Sequence, residues 1–159
     1  MYFSSVLHIM ARRFLLVALA LCMLPAAARA QDVLTEVSPK KITKILTSMG
    51  LEVQEAKGKG DSEQKALRFD LGGYRVVLFL ANKDTDAQLF IGFGGQQVST
   101  EKTNEWNSRH RFARAYRDED GDAVLESDID FTGGVTEANI KAWVKLFRNL
   151  TGEYAKFVR

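Results

Sequence analysis

The chain has few of the residue types from which many catalytic and metal sites are built. Its single cysteine, Cys22, lies within the first 30 residues, a stretch that we expect to be removed. Without it the protein has no disulfide, no thiol nucleophile and no thiolate metal ligand. His110 is then the only histidine, and the sequence lacks both a Gly-x-Ser-x-Gly nucleophile motif and a phosphate-binding loop with its lysine. We therefore expect no catalytic residue, no metal and no cofactor.

Long apolar runs are also scarce, and the longest one, Phe14–Leu24, has only 11 residues. A membrane-spanning helix needs roughly 17–25. The run follows Arg12-Arg13, and the small-x-small site Ala28-Arg29-Ala30 comes after it. A basic end, a short apolar segment and such a site together predict a cleaved export signal.

We expect residues 1–30 to be a signal peptide that is cleaved after Ala30, and residues 31–159 to form a single domain. That domain would be periplasmic or secreted, with no membrane span in the mature chain. Two alternatives stay open. Met1 and Met10 are both suitable starts, and the paired arginines are compatible with the general secretory route and with the twin-arginine route.

The slight positive charge of the chain comes from the same leader. The whole sequence has 22 basic and 20 acidic residues, and the leader contributes three arginines and no acid. The remainder therefore has 19 basic and 20 acidic residues, a net charge of −1. A near-neutral exported domain has no general attraction for nucleic acid, so we expect no nucleic-acid partner.

Helical and strand patterns follow one another without strand–helix–strand repeats. Ser38-Pro39 opens a first helix, Ser99–Arg109 has a weak helical pattern, and Thr136 caps a long last helix. The strand patterns lie between these helices: Glu52–Lys57, Leu67–Leu71, Arg75–Ala81, Gln88–Gly92, and a hairpin of Arg111–Arg117 with Ala123–Phe131. This grouping predicts an α+β fold, with a largely antiparallel sheet, an N-terminal helix, a middle helix and a long C-terminal helix.

Two of these strands are apolar on both faces. Arg75–Ala81 and Gln88–Gly92 contain few polar residues, which predicts central strands with a covering layer on each side. In this interpretation Gly92-Phe93-Gly94-Gly95 ends the second strand. The covering layer could come from the chain itself, from a homodimer partner or from a bound peptide.

The turn Asp118–Asp122 decides the register of the last hairpin. A two-residue turn would place Arg114 on the same face as Leu125, where a charge is costly. A three-residue turn with Gly121 as a bulge pairs Arg114 with Glu126 and leaves one uncharged face, so we choose it. The turn does not match a calcium loop, because the glycine and glutamate that such a loop requires are absent.

In this register Phe112, Arg114 and Tyr116 share the face away from the core. Two aromatic residues beside an arginine have the composition of interaction hot spots. We therefore take Phe112, Arg114 and Tyr116 as candidate partner-binding residues, together with Trp106, the one large apolar residue of the middle helix. The alternative is that another part of the same chain covers them.

The block Asn104–Phe131 contains Trp106-Asn107, then the letters RFARAY, then DEDGD and an acidic-apolar strand, and GGVTE opens the helix that follows. With these motifs the chain resembles the YbjN family of putative bacterial sensory transduction regulators over about the whole of residues 31–159. The resemblance implies a fold similar to type III secretion chaperones, in the order helix, sheet, helix, hairpin and long helix. It also implies a binding or regulatory role, and it supplies no catalytic residue. Members of that family need not be exported, whereas this chain has a leader.

Three functions are compatible with these patterns. The first is an exported, non-enzymatic binding or regulatory module that recognises a protein or peptide partner in the cell envelope. The second is an envelope structural or stress protein without a defined ligand. The third is a hydrolytic enzyme that uses the Asp118–Asp130 carboxylates, which would need a cleft with two carboxylates of opposed pKa. The resemblance and the lack of a catalytic constellation favour the first.

The export signal makes a direct prediction. The form that accumulates in periplasmic or secreted material should begin at Gln31, because the small residues Ala28 and Ala30 define the cleavage site. Mass spectrometry of the intact protein and of its N-terminal peptide measures this. Recovery of a mature form that still contains the Phe14–Leu24 segment would contradict the prediction.

Overall fold

The computed structural model of the protein describes residues 32–57 and 65–159. The predicted signal peptide therefore lies outside the described residues. Three helices and six strands follow one another: α1 Pro39–Thr47, β1 Gln54–Lys57, β2 Lys65–Asp70, β3 Arg75–Ala81, β4 Asp86–Gln97, α2 Thr100–Arg109, β5 Arg114–Arg117, β6 Asp122–Asp130 and α3 Glu137–Phe157. The predicted α+β class and the order of the three helices are confirmed. None of the described helices has the length and apolar character that crossing a membrane requires.

The six strands form one antiparallel sheet in the order β1-β2-β3-β4-β6-β5. The two strands that are apolar on both faces, β3 and β4, occupy the middle. Gly72 and Gly73 both have positive φ and form the tight turn between β2 and β3, where the Leu71 N–H donates to the Tyr74 carbonyl at 2.8 Å.

The helices begin where their capping residues predict. The side chains of Ser38, Ser99 and Thr136 each accept a hydrogen bond from the backbone N–H three residues ahead. Pro39 occupies the first turn of α1, where its missing N–H costs nothing. At the start of α3 the Asn139 side chain also bonds back to the Thr136 N–H, which completes a capping box.

Strand β4 is longer than its sequence predicts. The expected end at Gly92–Gly95 is wrong, because the strand continues to Gln97 with a register shift against β6 between Phe93 and Gln97. Gly95 has φ +79° there, and its N–H donates to the Asp122 carboxylate at 3.0 Å. The glycines thus form an irregular section of the strand that an acidic side chain of β6 holds in place.

One side of the sheet, which we call the inner face, carries the hydrophobic core. Its side chains are buried together with residues of all three helices: Leu67, Phe69, Val76, Leu78, Leu80, Leu89, Ile91 and Leu125 from the sheet, and Ile42, Leu46, Trp106, Ile140, Val144, Phe147 and Tyr154 from the helices. All three helices therefore lie on this side. The alternate side chains form the outer face: Ala66, Arg68, Val77, Phe79, Phe90, Val124, Glu126, Arg114 and Tyr116.

The register of the last hairpin is the one that the charges predict. Arg114 lies opposite Glu126, and Ala115 lies opposite Leu125. The Asp118 N–H donates to the Asp122 carbonyl at 3.0 Å, and Gly121 has φ +85°. The three-residue turn with a left-handed glycine is therefore confirmed.

Replacement of Gly121 should destabilise this turn. Alanine in a left-handed backbone costs about 1–2 kcal/mol, and a Cβ at Gly121 would also lie 2.6 Å from the Gln97 side-chain oxygen. We expect Gly121→Ala to lower the free energy of unfolding by about that amount in chemical denaturation. Gly133→Ala is the matched control, since Gly133 lacks a positive φ and a Cβ there would meet nothing within 4 Å. Equal stability of the two variants would contradict the assigned turn.

Candidate functional site

The candidate residues of β5 lie where the register predicts, on the outer face. Arg114 is exposed, and the half-buried Tyr116 lies opposite Val124 of β6. Burial raises the pKa of the Tyr116 phenol, and the nearby Arg114 and Asp118 charges act on it in opposite directions. Both side chains therefore remain candidates for contact with a partner.

Arg114 also stabilises the fold, a role that cannot be distinguished from partner binding by sequence alone. Its guanidinium forms an ion pair with Glu126, whose side chain is only 4% exposed while that of Arg114 is 67% exposed. Removal of one partner from such a pair leaves a buried charge uncompensated, which is strongly destabilising. A substitution of Arg114 would therefore mix a loss of stability with any loss of binding.

Phe112 lies outside strand β5, which corrects the prediction that it shares one face with Arg114 and Tyr116. Strand β5 begins at Arg114, and Phe112 has φ +69°, so the alternation of faces does not extend to it. Its side chain is 65% exposed, and the guanidinium of Arg111 lies 4.9 Å from the centre of its ring. A bulky residue in the left-handed region is strained and needs support from its surroundings.

That support comes from the core. The Ser127 hydroxyl donates to the Phe112 carbonyl at 2.6 Å, and the same hydroxyl accepts a hydrogen bond from the Trp143 indole N–H at 2.9 Å. These two hydrogen bonds join helix α3, strand β6 and the segment before β5. They hold the Phe112 backbone while its ring stays in solvent.

The structure does not bring Trp106 to this surface. Its side chain is 1% exposed and packs in the core against Tyr154, with ring centres 4.8 Å apart. His110 stacks on its other side at 3.5 Å, and the imidazole Nδ1 lies 3.0 Å from the Trp106 carbonyl oxygen. Burial gives Trp106 a packing role, and its contact with a partner is not supported by its position.

The next residue, Asn107, covers the edge of the sheet. Its side-chain amide accepts a hydrogen bond from the Ala115 N–H and donates one to the Ala115 carbonyl, both at 2.9 Å. These are the groups that an added strand would use, so Asn107 occupies part of the β5 edge. The outer face, rather than this edge, is left as the candidate surface.

The outer face contains an aromatic groove that the sequence interpretation missed. The groove measures about 630 Å³, and Phe79, Phe90, Gln88, Val124 and Tyr116 line it beside the turn segment 117–120. Phe79 and Phe90 meet edge to face, with ring centres 6.1 Å apart. The signal for these residues was the apolar character of both faces of β3 and β4, which predicts a covered outer side without locating a groove.

Two carboxylates of the hairpin, those of Asp118 and Asp130, accept hydrogen bonds from backbone N–H groups. Asp118 accepts hydrogen bonds from the N–H groups of Asp120 and Asp122, at 3.1 and 2.8 Å. Hydrogen bonds from the side chain and backbone of Thr132 lower the pKa of the Asp130 carboxyl. A general acid needs a raised pKa, so the lowered pKa of Asp130 does not suit that role. Within residues 32–57 and 65–159, no cluster of three or more histidine or acidic side chains could hold a metal ion.

The comparisons with known proteins give one match. The family model YbjN, described as a putative bacterial sensory transduction regulator, matches residues 38–159. No curated protein and no solved structure gives a significant match.

The two faces of the hairpin should respond differently to truncation. Leu125 is fully buried on the inner face, so Leu125→Ala should cost about 2–5 kcal/mol of unfolding free energy. Tyr116→Ala should cost less, because Tyr116 is only half buried, and should instead weaken self-association or partner capture. Denaturation and sedimentation of both variants measure this. If the two variants lost equal stability and association did not change, Tyr116 would be an ordinary core residue.

Proposed function

We propose that this chain, which belongs to the YbjN family, is an exported, non-enzymatic binding and regulatory module. It recognises a protein or peptide partner in the cell envelope through the outer face of its sheet. The family is described as a sensory transduction regulator, which supports the regulatory part of this proposal. The leader, with its basic end and its Ala28-Arg29-Ala30 site, supports the envelope location.

The observation that carries the proposal is the difference between the two faces of the sheet. The inner face is covered by α1, α2 and α3, whereas the described helices leave the outer face uncovered. Val77, Phe79 and Phe90 in the middle of that face are only half buried. A grouped apolar surface of this kind on a sheet marks an interaction site more often than scattered apolar residues do.

The neighbouring hairpin adds the features of a recognition surface. Tyr116 and Arg114 adjoin the aromatic groove, and tyrosine and arginine are enriched among residues that dominate binding energy. Phe112 adds an exposed ring on a strained backbone that the Ser127 and Trp143 hydrogen bonds hold in place. A preorganised aromatic side chain loses little entropy when a partner covers it.

Site-specific photocrosslinking in living cells tests the proposal. A benzoylphenylalanine at position 90 or 112 should form adducts with a partner of defined mass, which mass spectrometry then identifies. Leu146 is the matched control, because it is an exposed apolar residue on helix α3, away from the sheet. Adducts of twice the chain mass would identify a homodimer as the partner.

Three results would contradict the proposal. Adducts from position 146 alone would move the binding surface to α3. A lack of adducts from positions 90 and 112 in cells that contain the exported protein would remove the outer face as a binding surface. Retention of the protein in the cytoplasm would remove the envelope location.

A further inference from the structure

We propose that the aromatic groove on the outer face receives a lysine or arginine side chain of the partner, in a peptide segment where apolar residues flank that cation. The inference rests on the proposed function, since it names the chemistry of the same partner.

The floor is aromatic and only half buried. Phe79 and Phe90 lie side by side on β3 and β4, and Tyr116 lines the other end beyond Val124. Aromatic rings attract a cation through the negative charge of their faces, and the alkyl part of a lysine or arginine packs on the same apolar surface. The floor thus suits a long side chain with a charged end.

The wall is acidic. Segment 117–120 contributes Asp118, Glu119 and Asp120 to the lining, against the single guanidinium of Arg117. The side chains of Glu119 and Asp120 are exposed, and neither forms an ion pair with a described residue.

Among the described residues, the cations near the groove form no ion pair with Glu119 or Asp120. Arg114 is paired with Glu126. The guanidinium of Arg117 lines the groove and lies over the turn, where a Cβ at Gly121 would come within 2.9 Å of it. Glu119 and Asp120 therefore remain available to a positive group from outside.

The shape of the groove favours a peptide over a free small cation. Its lining consists of the sheet surface and one turn, so a ligand would be covered from below and from one side. Small ligands usually bury most of their surface in an enclosed pocket. A chain segment lying across the outer face needs only one covered side, and its apolar residues can contact Val77, which lies opposite Phe90 outside the groove.

Gly92 provides a way to fill the groove without removing a ring. It lies opposite Val124 on the outer face, has no positive φ, and a Cβ there would meet the Phe90 ring at an ordinary 3.9 Å. Gly92→Val therefore adds bulk beside Phe90 in a residue type that suits a strand. Its melting temperature serves as a check that the fold is retained.

The test is a positional-scanning peptide library probed with the labelled protein in its exported form. We expect selection of lysine and arginine at one position with apolar residues beside it. The best peptide and its analogue with norleucine in place of the cation are then compared by fluorescence anisotropy. The analogue should bind about tenfold more weakly, as expected for loss of a cation–π and carboxylate contact.

Variants locate the site. Glu119→Lys and Gly92→Val should each weaken the best peptide by about tenfold without lowering the melting temperature. Glu36→Lys is the matched control for charge, because Glu36 is exposed in the segment before α1. It makes the same change of net charge and should leave the affinity unchanged.

The outcomes separate this inference from the proposed function. Selection of apolar peptides without a preference for a cation, while positions 90 and 112 still crosslink, would overturn the inference and leave the binding module intact. Affinity that Glu36→Lys reduces as much as Glu119→Lys would also overturn it. Failure of both the library and the crosslinking would overturn the two proposals together.

Discussion

In the part of the chain that the structure describes, the helices all pack on one side of the six-stranded sheet, and the core and the candidate binding surface both depend on that arrangement. Leu67, Leu78 and Leu89 lie in one row across β2, β3 and β4, and the row ends at Ser127 of β6. The helices bury the inner face, which removes the apolar surface of that side from water and stabilises the domain. The residues between these positions then necessarily point to the opposite side, because side chains of a strand alternate.

Ser127 links helix α3 to the segment that enters β5. Its hydroxyl lies at the end of the leucine row, accepts the Trp143 indole N–H and donates to the Phe112 carbonyl. Packing of α3 against the sheet therefore positions the segment that enters β5. Glu126, which precedes Ser127 in β6, forms its ion pair with Arg114 on the outer face of the same hairpin. These contacts restrain the backbone that enters β5, which favours recognition by preformed shape.

The hairpin shows where reasoning from sequence succeeds. The positions of Arg114 and Glu126, with a glycine three residues into the turn, leave one register in which the charges pair and the apolar residues share a face. That register follows from local rules alone. Trp106 shows the opposite case, because α2 is largely polar and its sequence does not say which neighbour its single large apolar residue will meet. Its burial depends on Tyr154 and Phe157 of α3, about fifty residues further along the chain.

Local patterns in the sequence specify the order of the elements, their capping, the register of the last hairpin and the α+β class, because capping, alternation and charge pairing act between residues that are close in the chain. Long-range packing decided that α1, α2 and α3 lie on the same face of the sheet. It also decided that Asn107 covers the β5 edge, and that Phe79, Phe90 and Tyr116 line one groove. These depend on which strands become neighbours and on which side the helices pack. Such choices arise from contacts between distant residues, which a local pattern does not contain.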